Sequence, residues 1–157
     1  MVRSLRKGKY TYIRNYQGFY PDGLQNNYRY RMLAFSEWRK LYRAGKLNPI
    51  QRQFFEPRPA EQLFDVEQDP HQVRNLANDP RHPATLVRLR QRLRDIVTGI
   101  NDLSFFPESH MVAEALAAPI TFGKSHHNAI TANVNVADLA LQPVTKRKQN
   151  IFQVICP

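Results

Sequence analysis

Apolar and polar positions change their spacing several times along the chain, and each change marks an element. Val2 to Arg6 and Lys9 to Tyr16 are short runs of β-favouring residues, and the Lys7-Gly8 pair between them suits a two-residue hairpin turn with glycine at positive φ. The second run places Tyr10, Tyr12, Arg14 and Tyr16 on one face and Lys9, Thr11, Ile13 and Asn15 on the other. Neither face is purely apolar. A two-stranded ribbon is marginal alone, so this pattern calls for further strands or a helix to cover it.

The stretch Gln17 to Asn27 has loop chemistry, with Pro21-Asp22-Gly23 suited to a tight turn. From Tyr28 to Ala44 the apolar residues Met32, Phe35, Trp38, Leu41 and Tyr42 recur at intervals of three and four, which predicts an amphipathic helix ended by Gly45. Asn48-Pro49 reads as an N-cap and first helical residue, opening a short helix through Phe55 that Pro57 and Pro59 terminate. Gln62 to Val66 predicts a short strand. Asp69 with Gln72, and Asp79 with His82, each show cap and N3 spacing with proline directly after the cap, so two helix starts are expected. The first should last one turn. The second should run to about Val97, with Leu86, Leu89, Leu93, Ile96 and Val97 on one stripe and Gly99 as its C-cap.

Arg88, Arg90, Arg92 and Arg94 split at about 100° per residue into two groups, expected to form a solvated face. Beyond Asp102 the pattern weakens. LSFFPESH and APITFG contain strand-like pieces, and Asn128 to Leu141 is a helical candidate whose propensity is lowered by Thr131, Asn133, Val134, Asn135 and Val136. The Lys146-Arg147-Lys148 run and the apolar end IFQVICP specify no fold.

The stripe of the long helix has to lie on something, and one face of the sheet is the nearest unfilled surface. The expected class is therefore α+β: a small antiparallel sheet of about three to four strands covered by an amphipathic helix, with a helical insertion and a poorly specified C-terminal extension. The division expected is residues 1–103 as one subdomain and 104–157 as a linker and truncated extension, partly without order.

A chain of 157 residues fits one core rather than two. The net charge of +10 is uneven: residues 1–58 carry 13 Lys and Arg against Asp22, Glu37 and Glu56, while the remainder carries 10 against 10. A basic block of this kind favours a polyanion, against the plain alternative of a solvated basic surface. The single Cys156 excludes an internal disulfide. No window approaches the roughly 18 apolar residues of a membrane span. The basic N-terminus has no apolar run behind it, so no secretory signal is expected and the compartment is undetermined.

Candidate chemistry is sparse. His126-His127 lacks a third ligand at metal spacing. Asp65, Glu67 and Asp69 lack the glycine and closing glutamate of a calcium loop, and are expected to serve a turn and a cap. No phosphate loop, nucleophile elbow or paired acid and base occurs in the sequence.

The opening RSLRKGKYTYIRNY, then FYPDGLQNNYRYRML, then PAEQLFDVEQDPHQVRNLANDP before a helix, together resemble the C-terminal region of type I sulfatases, in particular the heparan N-sulfatase (sulfoglucosamine sulfohydrolase) branch. The motif positions are Tyr12, Ile13, Arg14 and Asn15, then Leu63, Phe64, Asp65, Asp69, Pro70, Asn75, Leu76 and Ala77, and the resemblance spans roughly residues 2–100. It implies a non-catalytic subdomain that packs on a catalytic domain and helps shape the entrance for a sulfated glycan or aryl sulfate. The calcium ion and the formylglycine of that family reside in the catalytic domain, whose C/S-x-P-S-R motif is absent here, so no catalytic residue, metal site or cofactor is expected in this chain. Arg3, Arg6, Lys9 and Arg14 are the cations expected nearest such an entrance, where fixed positive charge steers anions and arginine grips sulfate oxygens. Expected partners are the catalytic domain and a sulfated polyanion, with no membrane span and no nucleic acid. The alternative is a free-standing basic module that binds nucleic acid or sulfated glycan.

Overall fold

The hairpin forms with its turn one position later than the residue pattern places it. In the computed structural model, which describes residues 1–23 and 26–142, β1 (Val2–Lys7) pairs antiparallel with β2 (Tyr10–Asn15), and Lys7 faces Tyr10 across a Gly8-Lys9 turn. Gly8 takes φ +58°, the left-handed conformation that costs glycine nothing. On the other side of β2 lies β3 (Glu61–Asp65), antiparallel, with Tyr12 opposite Leu63 and Arg14 opposite Glu61. The sheet thus has three strands in the order β1-β2-β3, and the fold is α+β.

The insertion between β2 and β3 is helical but divided. Asn26 accepts from the Tyr28 and Arg29 amides and caps a single turn, α1 (Asn27–Tyr30), and the chain restarts as α2 (Leu33–Arg43). Gly45 ends α2 at φ +66°, with the Lys46 amide bonded back to the Leu41 carbonyl. The Asn48 capping box opens α3 (Pro49–Arg52) as its residue types dictate. Trp38 stacks on Phe54 and Tyr42 on Phe55, each with ring centroids 4.6 Å apart, so the insertion carries an aromatic core of its own around Phe35.

The main core lies where the stripe of the long helix meets the sheet. Helix α4 (Pro83–Gly99) buries Leu86, Leu89, Leu93 and Val97 against Tyr12, Leu63 and Leu76. Each such leucine contributes about 1.5–3 kcal/mol by burial. Its start differs from the expected one. Asp79 spends its carboxylate on the Arg81 amide and side chain, which makes 79–82 a turn, and Pro83 rather than Pro80 becomes the first helical residue. Its end differs too: Asn101, at φ +54°, is the left-handed residue rather than Gly99, and the Asp102 amide reaches back to the Val97 carbonyl. The earlier expected turn of helix at Asp69 is replaced by a turn with Gln72 at φ +53°.

After α4 the chain is helical where its pattern was weakest. A 3-10 turn (Leu103–Phe105), α5 (Glu108–His110) and a π turn (Met111–Ala115) lead to α6 (Pro119–Ser125) and α7 (His127–Ala140). The strand-like residues Ile120 and Thr121 are held in α6 by Pro119 at its first position and by Phe122, which packs on Phe106 and stacks on His126 at 3.9 Å. Tertiary packing overrides propensity here. Ile130 and Val134 of α7 are fully buried in the same cluster as Tyr12 and Leu89, so residues on both sides of position 103 share one core. The Lys146-Arg147-Lys148 run and the IFQVICP end lie outside the described residues.

Candidate functional site

Alternation along β2 sends Tyr10, Tyr12 and Arg14 toward α4, and this face has to accommodate a guanidinium inside a hydrophobic core. Arg14 is 7% exposed. Its Nη2 and Nε donate to Asp138 Oδ1 of α7 at 2.7 and 3.0 Å, and its Nη1 lies 3.5 Å from Glu61 Oε1 of β3. Arg90 of α4 grips Glu61 with both of its fork nitrogens at 2.6 and 2.7 Å, and the Tyr12 hydroxyl donates to the same carboxylate at 2.5 Å. Arg94, one turn further along α4, donates to Asp138 Oδ2 at 3.1 Å and to the side-chain Oδ1 of Asn135. Three arginines, two carboxylates and a phenol therefore join the sheet, α4 and α7 at one point. Arg90 and Arg94 are ion-paired here, which corrects the expectation that all four arginines of this helix form a solvated face; Arg88 and Arg92 remain exposed.

Electrostatics hold this cluster in fixed charge states. Burial works against the Glu61 carboxylate, yet hydrogen bonds from Arg90 and Tyr12 keep its pKa below the ordinary value. Burial and the Glu61 bond push the Tyr12 phenol well up. Burial and the Asp138 charge push Tyr16 up to about 12. Glu61 and both tyrosines thus keep one protonation state around neutral pH. The space left among Tyr12, Arg14, Tyr16, Arg90, Arg94 and Asp138 is about 10 Å³, room for one water at most. This cluster is a joint, with no volume for a substrate.

The other three cations singled out from the sequence do not converge with Arg14. Arg3 pairs with Asp102 beyond α4, Nε to Oδ2 at 2.5 Å and Nη2 to Oδ1 at 2.9 Å, and also donates to the Ser104 hydroxyl. Lys9 pairs with Asp65 at 2.7 Å, at the hairpin end of the sheet. Four residues of strand put these two ends about 13 Å apart. Arg6 is exposed, on the opposite sheet face, and makes no ion pair among the described residues.

The motif residues are the joints of the sheet. Asn15, 1% exposed, donates through Nδ2 to the Pro59 carbonyl and to Gln62 Oε1. Asn75 seals the outer edge of β3, accepting from the Leu63 amide and donating to the Glu61 carbonyl. Asp65 accepts from the amides of Glu67 and Gln68 and serves a turn as expected, whereas Asp69, expected as a helix cap, accepts from the Arg74 amide within a turn. What the sequence reading missed is the carboxylate side of the network: Glu61 and Asp138 carry no local signal, because their partners lie far off in the chain.

His126 and His127 do not share a target. The first hydrogen-bonds the Phe122 carbonyl and the second Asn101 Oδ1. Among the described residues, no group of three or more His, Cys, Asp or Glu is placed to hold a metal ion. No helix among them is long and apolar enough to cross a membrane.

No family model matches the chain. Over 116 residues, 71% of the chain, it is 40% identical to an ulvan-active sulfatase of Formosa agariphila. Its likeness is to part of a sulfatase. The chain spans 19% of the length of that relative, and the match supports a sulfatase C-terminal region without singling out the heparan N-sulfatase branch.

Proposed function

We propose that the chain acts as the non-catalytic C-terminal part of a sulfatase, packing on a catalytic region and lining its approach. The observation that carries this reading is the 40% identity to a sulfatase of which the chain spans 19%. The heparan N-sulfatase branch rests on the sequence motifs alone. Large apolar side chains crowd the start of the insertion: Phe19, Tyr20, Tyr28, Met32 and Leu33 are all exposed, Leu33 by 87%. A solvent-facing stretch of this kind fits a surface that another domain covers. Arg6, exposed and unpaired, is the cation we place at a substrate approach; Arg3, Lys9 and Arg14 already neutralise carboxylates of this chain.

A free-standing polyanion binder draws less support. Two of its basic residues lie over aromatic rings of the insertion itself, Arg39 over Tyr30 at 4.5 Å and Arg29 over Phe54 at 5.4 Å.

The test is a chimera in which this chain replaces the matched segment of the ulvan-active sulfatase. Sulfate release from ulvan is expected from the chimera and from neither the chain alone nor the sulfatase without that segment. Turnover by the isolated chain, or a chimera as inactive as the truncated enzyme, would overturn the reading.

A further inference from the structure

Between the insertion and the outer edge of β3 lies a cleft of about 590 Å³, within the range of about 300–1,000 Å³ usual for small-ligand sites. We propose that this cleft is a binding subsite for a neutral sugar unit. That choice of ligand rests on the reading of the chain as part of a glycan-directed sulfatase; the site itself rests on its own geometry.

One wall is built by close approach. The Arg58 amide donates to the Gly18 carbonyl at 2.7 Å and the Gly23 amide to the Phe54 carbonyl at 2.6 Å. A Cβ at Gly18 would meet the Arg58 carbonyl oxygen at 2.4 Å, so only glycine permits this contact. The approach sets Asp22 against Arg58, joined at 3.0 Å on the lip of the cleft. The facing wall is the 71–75 turn, pinned to the sheet by Asn75. Within it Gln72 sits at φ +53°, a conformation unfavourable for a residue with a side chain. The turn is held there by the Gln72 amide on the Asp69 carbonyl and the Arg74 amide on the Asp69 carboxylate. Strain kept in place by surrounding bonds is characteristic of binding loops.

The lining chemistry selects the ligand. Gln53, His71 and Gln72 line the cleft, are exposed, and make no side-chain hydrogen bond among the described residues. An apolar ligand would leave these donors and acceptors unpaired. An anion finds one guanidinium against the carboxylates Asp22 and Glu56, and those carboxylates are already matched by Arg58 and Arg52, which leaves little attraction for a cation. Sugar hydroxyls, each able to donate and accept, suit amides and an imidazole.

The experiment is an NMR titration of the whole chain with xylotetraose and cellotetraose, and separately with a heparin tetrasaccharide. Expected is millimolar binding of a neutral tetrasaccharide that shifts the Gln53 and Gln72 side-chain amides and is unchanged between 50 and 500 mM NaCl, since no charge is engaged. Gln72→Gly keeps the backbone at ease while removing the side chain, and Q53A removes a second amide; each should weaken binding at least fivefold in a fold whose spectrum is otherwise intact. No binding of either neutral sugar at 20 mM, binding unaltered in both variants, or binding confined to the heparin fragment and lost with salt would overturn the proposal. An active chimera with no sugar binding rejects the subsite alone, and sugar binding with an inactive chimera rejects the sulfatase reading alone.

Discussion

Arg14 on the middle strand and Asp138 on the last described helix are 124 positions apart, yet the guanidinium of one places two nitrogens on a single carboxylate oxygen of the other, at 2.7 and 3.0 Å. This pair fastens the C-terminal helix to the sheet. Burial costs the Arg14 guanidinium its hydration, and the opposing carboxylates Asp138 and Glu61 offset that cost.

Removing one partner should therefore hurt more than removing both. Asp138→Ala leaves Arg14 short of a counter-charge and is expected to cost about 2 kcal/mol in urea unfolding, below the full buried-pair figure because Asp138 is partly exposed. The double change Arg14→Met with Asp138→Leu should recover part of that loss. An unchanged midpoint for D138A would show that the pair does not hold the helix.

Acid should loosen the same fold. Glu61 and Asp102 both have carboxyl groups whose folded pKa lies below the ordinary range: burial opposes ionisation, but the bonds from Arg90 and Tyr12 to one and from Arg3 and Ser104 to the other outweigh it. A depressed folded pKa means that the stabilisation is complete above the unfolded value of about 4 and is lost as pH falls through the lower folded value. The urea midpoint should stay level from pH 7 to 5 and drop below pH 4, and E61Q should flatten that drop. A midpoint independent of pH down to 2.5 would contradict this.

Two glycine substitutions should differ sharply. Gly18→Ala drives a Cβ to 2.4 Å from backbone at Arg58 and is expected to destabilise by about 1–3 kcal/mol, the scale of overpacking. Gly99→Ala, with nothing within 4 Å and no positive φ, should be neutral or stabilising by up to about 1 kcal/mol. Equal thermal midpoints for the two variants would remove the close approach on which the cleft wall depends.

Residues 103–142 should melt with the sheet. Val134 is fully buried in the core that holds Tyr12 and Leu89, and Val134→Ala is expected to lower the stability of the whole by about 1–2 kcal/mol through the lost methyls and the cavity left behind. Trp38, the single tryptophan, reports on the insertion while far-UV ellipticity reports on the helices. Coincident curves are expected at one midpoint, shifted together by V134A. A helical transition well before the tryptophan transition would show that the C-terminal helices are a separate unit.

What the residues determined unaided was whatever depends on near neighbours. The hairpin with Gly8, the N-cap at Asn48, the stripe of α4 and the turn role of Asp65 follow from spacing, because cap, turn and helix bonds close within a few positions. Choices between equivalent local signals were not readable in this way. Pro80 and Pro83 offer the same first helical position, and the side chain of Asp79, spent on Arg81, settles it. Tertiary structure alone decided the partners of the charged residues. Helical spacing separates Arg90 and Arg94 from Arg88 and Arg92, but nothing near them in the chain names their partners, and only the crossing of α4 over β3 and α7 brings Glu61 and Asp138 within reach. The helical fate of Ile120 and Thr121 was likewise decided by Phe122 packing on Phe106. Contacts across a hundred residues are selected by the energy of the whole core, and no window of sequence contains that energy.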